Sequence, residues 1–550
     1  MKREQIVRLL CLCILFALTA TLLLRGLSNT SIGFPDADRN LMDGVFIRDF
    51  LQEMPLTKVF EFTATYYARY PALSIGYKPP FFAFVEAIFN ILFGINLWGS
   101  RLAVLAFALA GVWAYFRLVQ RMSDTPTAFF SSSLLVTTPF VAQWGWYTML
   151  EIPALSMCLL ASYAFYLFLT DHGKRYLYAT AILVPLSAWT KQTAVFTVLW
   201  FFLYAALAGK LLGILKRKST WFAMIIAGML LIPLAILTIW LGELNIAQSI
   251  GGDPPKINLL ASNSRSYLLQ YIYLIYHQQL TGPVLLLGLA GMALAAAKRH
   301  RASLYFACLI AATYIVFTFF VSAKEARYTI FWIPAFTYFA AFPIYQLRNI
   351  KLVAKVSSLI LVIVILYQIY ATYQREPRYA TGYDQAAKVA LSNLRGPTVL
   401  IDAYNNGYFT YFIRSLDPAR STVVLRGDKL LSSSAVWRGQ LTIHAHNESD
   451  IRDILDKYGV TIIVIETRDY TGIPIHRLLR SFLQSEDFEL IKEIPIESNS
   501  GPLSDNSLKI YRYLKAKPPN AEFITLELPI VGQTLKVPMK KLTDSKKDHP

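Results

Sequence analysis

Asp36 and Asp38 stand in the segment Phe34-Pro35-Asp36-Ala37-Asp38-Arg39-Asn40, soon after the first long apolar run. A carboxylate in that setting is either a turn and helix N-cap residue or a general base held at a membrane face. Lys78, in Gly76-Tyr77-Lys78-Pro79-Pro80, has its backbone restrained by the prolines that follow. Its ammonium is either a snorkelling anchor or a cation for a phosphate at headgroup depth. Glu151 lies two residues before Pro153 at the edge of an apolar run, where an acid is costly unless paired or wetted. Lys191 in Trp189-Thr190-Lys191, and Lys324, Glu325, Arg327 and Tyr328 in the next polar break, also fall at the ends of apolar runs. Singly, each reads as a topology anchor. Together, the cations Arg39, Lys78, Lys191 and Arg327 with two or more carboxylates suit a lipid-linked phosphate and a nearby hydroxyl.

Positioning such residues is the work of a membrane fold. The chain has 550 residues, 55% of them hydrophobic and 16% charged, with a net charge of +18. Soluble domains carry about 25% charged residues, so a soluble enzyme and a disordered scaffold are both excluded. Runs apolar enough to cross a bilayer lie at about 6–24, 80–98, 101–119, 127–148, 152–170, 176–190, 193–209, 221–241, 283–297, 303–322, 328–346 and 352–371. The run at 80–98 carries Glu86 and Asn90 and reads as interfacial or re-entrant. With about eleven spans left, the clusters Lys2/Arg3/Arg8, Arg117/Arg121, Lys174/Arg175, Lys216/Arg217/Lys218, Lys298/Arg299/Arg301 and Arg348/Lys351/Lys355 all become cytoplasmic. The excess positive charge is thereby accounted for by the membrane, and no nucleic-acid partner is implied. The first run, lacking a small-residue cleavage site, is kept as an anchor. Cys11, Cys13, Cys158 and Cys308 all lie in apolar runs, which argues against a disulfide framework.

This topology turns three pieces outward: a long loop at about 25–98, a loop at about 242–282 broken by Gly251-Gly252-Asp253-Pro254-Pro255, and everything from about 374. In the first loop Leu41, Met42, Val45, Phe46, Phe50, Leu51 and Met54 recur at three and four residues, the pattern of an amphipathic helix lying on the membrane surface. The polar region reads as a small α/β domain. Its strands are Thr398–Asp402, Thr422–Leu425 and Val460–Glu466, and its helix Asp450–Tyr458 is stopped by Gly459. No glycine-rich phosphate turn follows a strand, so no nucleotide site is indicated. His444 and His446 read as surface residues. The expected division is 1–373 as the membrane domain, 374–515 as the extracytoplasmic α/β domain and 516–550 as a C-terminal tail that ends in a lysine-rich stretch without fixed structure.

The ordered series of short motifs resembles the GT-C membrane glycosyltransferases, in particular the bacterial relatives of protein O-mannosyltransferases and the lipid A aminoarabinose transferase. The motifs are Asp36-Ala37-Asp38-Arg39, Lys78-Pro79-Pro80, Phe93-Gly94, Trp98-Gly99-Ser100-Arg101-Leu102, Glu151-Ile152-Pro153, Trp189-Thr190-Lys191 and Arg327-Tyr328. The resemblance covers about the first 350 residues. It implies a polytopic α-helical membrane protein that transfers a sugar from a polyprenyl-phosphate donor to an acceptor lipid, protein or glycan outside the cytoplasmic membrane, with inversion at the anomeric carbon. The N-terminus would face inward. The catalytic base would be Asp36 or Asp38. Lys78 and Arg327 would hold the phosphate, with Arg39 and Lys191 as further cations beside Tyr328, and Glu151 would orient acceptor or sugar. Tyr77 stands where some relatives carry an acidic metal ligand; no ligand set for a divalent metal is identified, and metal dependence stays open.

The rival class is a polytopic transporter or lipid-linked glycan flippase, which such a span count also fits; no internal repeat of the kind transporters carry is visible. On the transferase topology, a membrane-impermeant thiol reagent added to intact cells should label a cysteine introduced beside Asp36. Labelling that requires lysis reverses the assignment.

Overall fold

In a computed structural model, the described residues are 2–34, 36–74, 76–241, 264–321, 324–435, 440–500, 505–528 and 533–543. The chain divides into two compact units. One comprises Met1–Leu27, Lys78–Phe82 and Arg101–Pro377; the other comprises Ser28–Tyr77, Ala83–Ser100 and Arg378–Pro550. The first-loop residues therefore belong, by their packing, with the C-terminal region.

The first unit is helical because its sequence is a succession of apolar runs that must satisfy their own backbone hydrogen bonds. Among the described residues, six helices are long and apolar enough to cross a bilayer: Glu4–Leu23, Leu97–Met122, Glu151–Asp171, Lys218–Leu241, Arg301–Phe319 and Lys351–Gln374. Shorter apolar helices occupy Phe81–Phe93, Gln192–Leu207 and Gly282–Ala297. The apolar run at 127–148 is interrupted at Thr138 by Pro139, giving helices Thr125–Thr137 and Pro139–Gly145. The breaker stretch Gly251-Gly252-Asp253-Pro254-Pro255 lies outside the described residues.

Several cations of this unit satisfy helix carbonyls. Arg25 donates to Thr372 O at 2.5 Å and Tyr373 O at 2.7 Å, at the end of helix Lys351–Gln374. Arg101 donates to Leu23 O at 2.8 Å. Lys324 Nζ donates to Phe317 O at 2.7 Å and Thr318 O at 2.9 Å. The last carbonyls of a helix lack internal partners and carry its negative dipole end, so a cation there is stabilising. Trp146 adds an indole N–H to Leu22 O at 2.8 Å.

The second unit is built on a five-stranded sheet. Among the described residues the strands are β1 (Thr398–Asp402), β2 (Val423–Arg426), β3 (Ser432–Ala435), β4 (Gln440–Ile443), β5 (Val460–Glu466), β6 (Phe488–Ile496), β7 (Asn506–Tyr513), β8 (Phe523–Leu528) and β9 (Gln533–Pro538). The sheet order is β2-β1-β5-β7-β6, with β1 parallel to β2 and β5, and β7 antiparallel to β5 and β6. The three parallel strands are buried along their whole length, which explains their unbroken apolar and β-branched sequence. The region beyond 516 departs from expectation. β8 and β9 form a hairpin, and Ile524, Leu526, Val537, Met539 and Leu542 join the core. Alternating apolar residues in 523–538 supply a buried face, which outweighs the lysine-rich composition.

The amphipathic first-loop helix exists as Ala37–Glu53, but its apolar side is spent on protein packing rather than on a membrane surface. Leu41, Met42, Val45 and Phe46 are buried, and Phe46 packs edge-on against Tyr66 with centroids 5.1 Å apart. Its charges are buried too. Asp49 accepts from Arg414 Nη2 at 2.7 Å and Nε at 3.0 Å, from Tyr66 OH at 2.7 Å and from Arg48 Nη1 at 2.8 Å. Asp43 accepts from the Ser74 amide at 2.8 Å and from its hydroxyl. Arg414→Ala would strand a buried carboxylate and should cost about 3–5 kcal/mol. A thermal-unfolding midpoint in detergent that stayed at the wild-type value would show the pair to be dispensable.

Candidate active site

Four of the expected site residues meet within the helical unit. Glu151 opens helix Glu151–Asp171 and is buried. Lys191 follows helix Lys174–Thr190 as its C-cap residue. Arg327 and Tyr328 lie in the short 3-10 segment Ala326–Trp332. Lys191 Nζ donates to Glu151 Oε1 at 2.9 Å, and Arg327 Nε stands 3.9 Å from the same oxygen. The other oxygen, Oε2, is buried with no hydrogen-bond partner. Lys191 also sits 5.4 Å from the centroid of the Tyr328 ring, while Arg327 lies over Trp144 at 5.7 Å and Tyr328 at 5.5 Å. Glu325 completes the group, taking Arg327 Nε at 2.6 Å and the Tyr328 hydroxyl at 3.3 Å. Trp144 and Glu325 were not expected as members. The only sequence signal for Trp144 is the tryptophan-rich Gln143-Trp144-Gly145-Trp146 a few residues before Glu151.

This group holds Lys191 on Glu151 and Arg327 between Glu151 and Glu325, framed by aromatic faces. Cation–π contact and the shared carboxylate restrict both side chains. An anion with several oxygens can join such a pair through charge-assisted hydrogen bonds. Lys78, in the same unit, is half-buried immediately before Pro79-Pro80 and helix Phe81–Phe93.

Asp36, Asp38 and Arg39 belong to the second unit, at the start of helix Ala37–Glu53. Asp36 occupies the N-cap position with helical backbone angles and makes no capping bond with its side chain, so the ordinary N-cap role is not the one it plays. It is half-buried, whereas Asp38 is buried. Arg39 Nε lies 3.7 Å from Asp38 Oδ1, and its guanidinium donates to Pro71 O and to Asn406 Oδ1, both at 3.2 Å. Gly407, in the first turn of helix Asn406–Leu416, packs directly on the Asp38 carboxylate; a Cβ there would overlap Oδ2. Pro71 O also accepts from Arg426 Nη1 at 2.8 Å. Arg426 is held by Asp428, whose carboxyl burial tends to raise but the guanidinium holds down at about 2. The segment leading to Tyr77 is thus tied down at Pro71 by two arginines and at Ser74 by Asp43. Asn406, Gly407 and Arg426 come from more than 300 residues away in the chain, and no spacing rule reaches that far.

Among the described residues, no group of three or more His, Cys, Asp and Glu is placed to hold a metal ion. His444 and His446 are exposed, as expected for surface residues.

Residues 77–240 match the family model described as dolichyl-phosphate-mannose-protein mannosyltransferase. The solved structure of ArnT from Cupriavidus metallidurans bound to undecaprenyl phosphate superposes with a TM-score of 0.57 at 13% identity, covering 90% of this chain and 97% of that one. This is a polytopic helical membrane protein with the GT-C glycosyltransferase fold. The Archaeoglobus fulgidus oligosaccharyltransferase in its apo form matches with a TM-score of 0.51 at 11% identity, over 83% of this chain and 69% of that one. The mycobacterial arabinofuranosyltransferase AftD matches with a TM-score of 0.52 at 10% identity, over 94% of this chain but 40% of the longer protein. No curated protein sequence matches.

Gly407→Ala should lower stability by about 1–3 kcal/mol, because the added methyl has only the Asp38 carboxylate and its helix to push against. An unfolding midpoint equal to that of the wild type would mean that the two helices are not in the tight register described.

Proposed function

We propose that this GT-C-fold protein is an inverting glycosyltransferase that moves a sugar from a polyprenyl-phosphate donor to an acceptor on the extracytoplasmic face of the cytoplasmic membrane. The observation that carries the reading is the pairing of Lys191 and Arg327 on Glu151 Oε1 inside a GT-C helical unit. A phosphate on a lipid carrier is a good leaving group, so cations are needed for the charge that develops on it and a strong general acid is not. Lys191 and Arg327 supply that charge, with Lys78 and Arg39 as further phosphate cations. Glu151 holds Lys191 through Oε1, and its role is to orient the cations that face the donor. Tyr328 backs Lys191.

Asp36 is assigned as the base that takes the proton from the acceptor hydroxyl, and Asp38 as the residue that seats the helix. Their environments support this division: Asp36 is only half-buried and does not cap, whereas Asp38 is buried between Arg39 and Gly407. Attack opposite the phosphate inverts the anomeric centre. The undecaprenyl phosphate bound in the ArnT structure supports a carrier of the same class here. Nothing in the fold favours the transporter reading.

The test is donor consumption by purified protein in proteoliposomes supplied with the host's polyprenyl-phosphate sugars. Asp36→Asn should slow transfer by about 10²–10⁴-fold while leaving expression and insertion intact. Lys191→Met and Arg327→Met should each weaken donor binding by about 1.5–3 kcal/mol, the worth of a hydrogen bond to a charged group. Full activity of Asp36→Asn removes it from the mechanism, and unchanged donor affinity in both cation variants removes the clamp.

A further inference from the structure

Helix Phe81–Phe93 has its polarity turned inside out. At 13 residues it is about 20 Å long, too short for the roughly 30 Å hydrocarbon core. Phe84, Ile88, Leu92 and Phe93 are exposed, while Glu86 and Asn90, one turn apart on the opposite side, are completely buried. Ser100, in the first turn of helix Leu97–Met122, is buried beside them.

We propose that Glu86, Asn90 and Ser100 form a buried site for a single hard monovalent cation of the sodium class. Glu86 bonds Ser100, which leaves its second carboxyl oxygen and both polar atoms of the Asn90 amide buried without a hydrogen-bond partner. The Tyr411 hydroxyl, which feels the Glu86 charge, is likewise buried without one. Folded proteins leave few such atoms, and a cluster of them calls for a bound ion or water.

The donor set selects the ion. Carboxylate, amide and hydroxyl oxygens favour a hard cation. The charge is one, because the second carboxylate nearby, Asp43, is already taken by the Ser74 amide and hydroxyl. The groups acting on Glu86 are burial, Ser100 and Asp43, with no lysine or arginine among them, and burial pushes its carboxyl well above the usual range. A cation would therefore compete with a proton, and binding should strengthen as pH rises. Space is tight: a Cβ on Gly44 would stand 2.5 Å from the Glu86 carboxyl carbon.

The test is thermal unfolding of the full chain in detergent, in NaCl, KCl and choline chloride at one ionic strength. Sodium should raise the midpoint by on the order of 2 °C over choline, and by less at acid pH. Glu86→Gln, which keeps the shape and removes the charge, should abolish the difference, and Ser100→Ala should reduce it. Equal midpoints in all three salts, or a sodium effect that survives in Glu86→Gln, would each overturn the site. Should Glu86→Gln not fold, saturable binding of radioactive sodium to the wild type, competed by NaCl but not by choline chloride, decides the matter. The readout involves no sugar, so its failure leaves the transferase reading untouched.

Discussion

A charge withdrawn from water must be answered by another charge or by hydrogen bonds, and in this chain that constraint shapes both units. Glu151 is answered by Lys191 and Arg327. Asp49 is answered by Arg414, Arg48 and Tyr66, and Asp402 by Arg480 at 2.7 Å and His476 at 2.8 Å. Apart from Arg48, the chain neighbour of Asp49, each partner comes from another element, so satisfying the charge also fixes the tertiary structure. Removing one partner is far costlier than the pair's net contribution, because the other is left buried alone.

The same constraint separates cations that build the fold from cations able to act. Arg25, Arg101 and Lys324 donate to backbone carbonyls at helix ends, which cannot be exchanged for a ligand without unravelling a turn. Lys191 and Arg327 instead pair with side-chain carboxylates, Lys191 with Glu151 and Arg327 with Glu325 and Glu151. Arg39 stands between these cases, bonded to Asn406 and to a backbone carbonyl at Pro71.

One constellation in the α/β region has the outline of a nucleophilic triad. The His476 ring lies 2.9 Å from the Ser432 hydroxyl and 2.8 Å from Asp402. All three residues are sealed, with Ser432 the most accessible at 2%. With Arg480 also on Asp402, the group ties the end of β1 to helix Pro474–Phe482. Geometry without access is packing, not catalysis.

Much of the fold was legible in the sequence. The parallel strands and the helix ending at Gly459 fall where β-branched runs and three-and-four spacing place them, since those patterns are local consequences of backbone geometry. So was the helix after Asp36, though not its role: periodicity shows that one face is apolar and is silent on whether lipid or protein covers it. The ordered motifs around Lys78, Glu151, Lys191 and Arg327 pointed to the right fold because each sits at an element boundary.

What the sequence by itself determined is which residues are polar in an apolar chain, and hence that they must be paired. Which partner each one takes was decided only by the tertiary structure. The packing of β8 and β9 residues into the core, the seating of Asp38 against Gly407 and the hold of Arg426 on Pro71 all join residues distant in sequence. Electrostatic and steric complementarity act through space, and one-dimensional spacing carries no record of them.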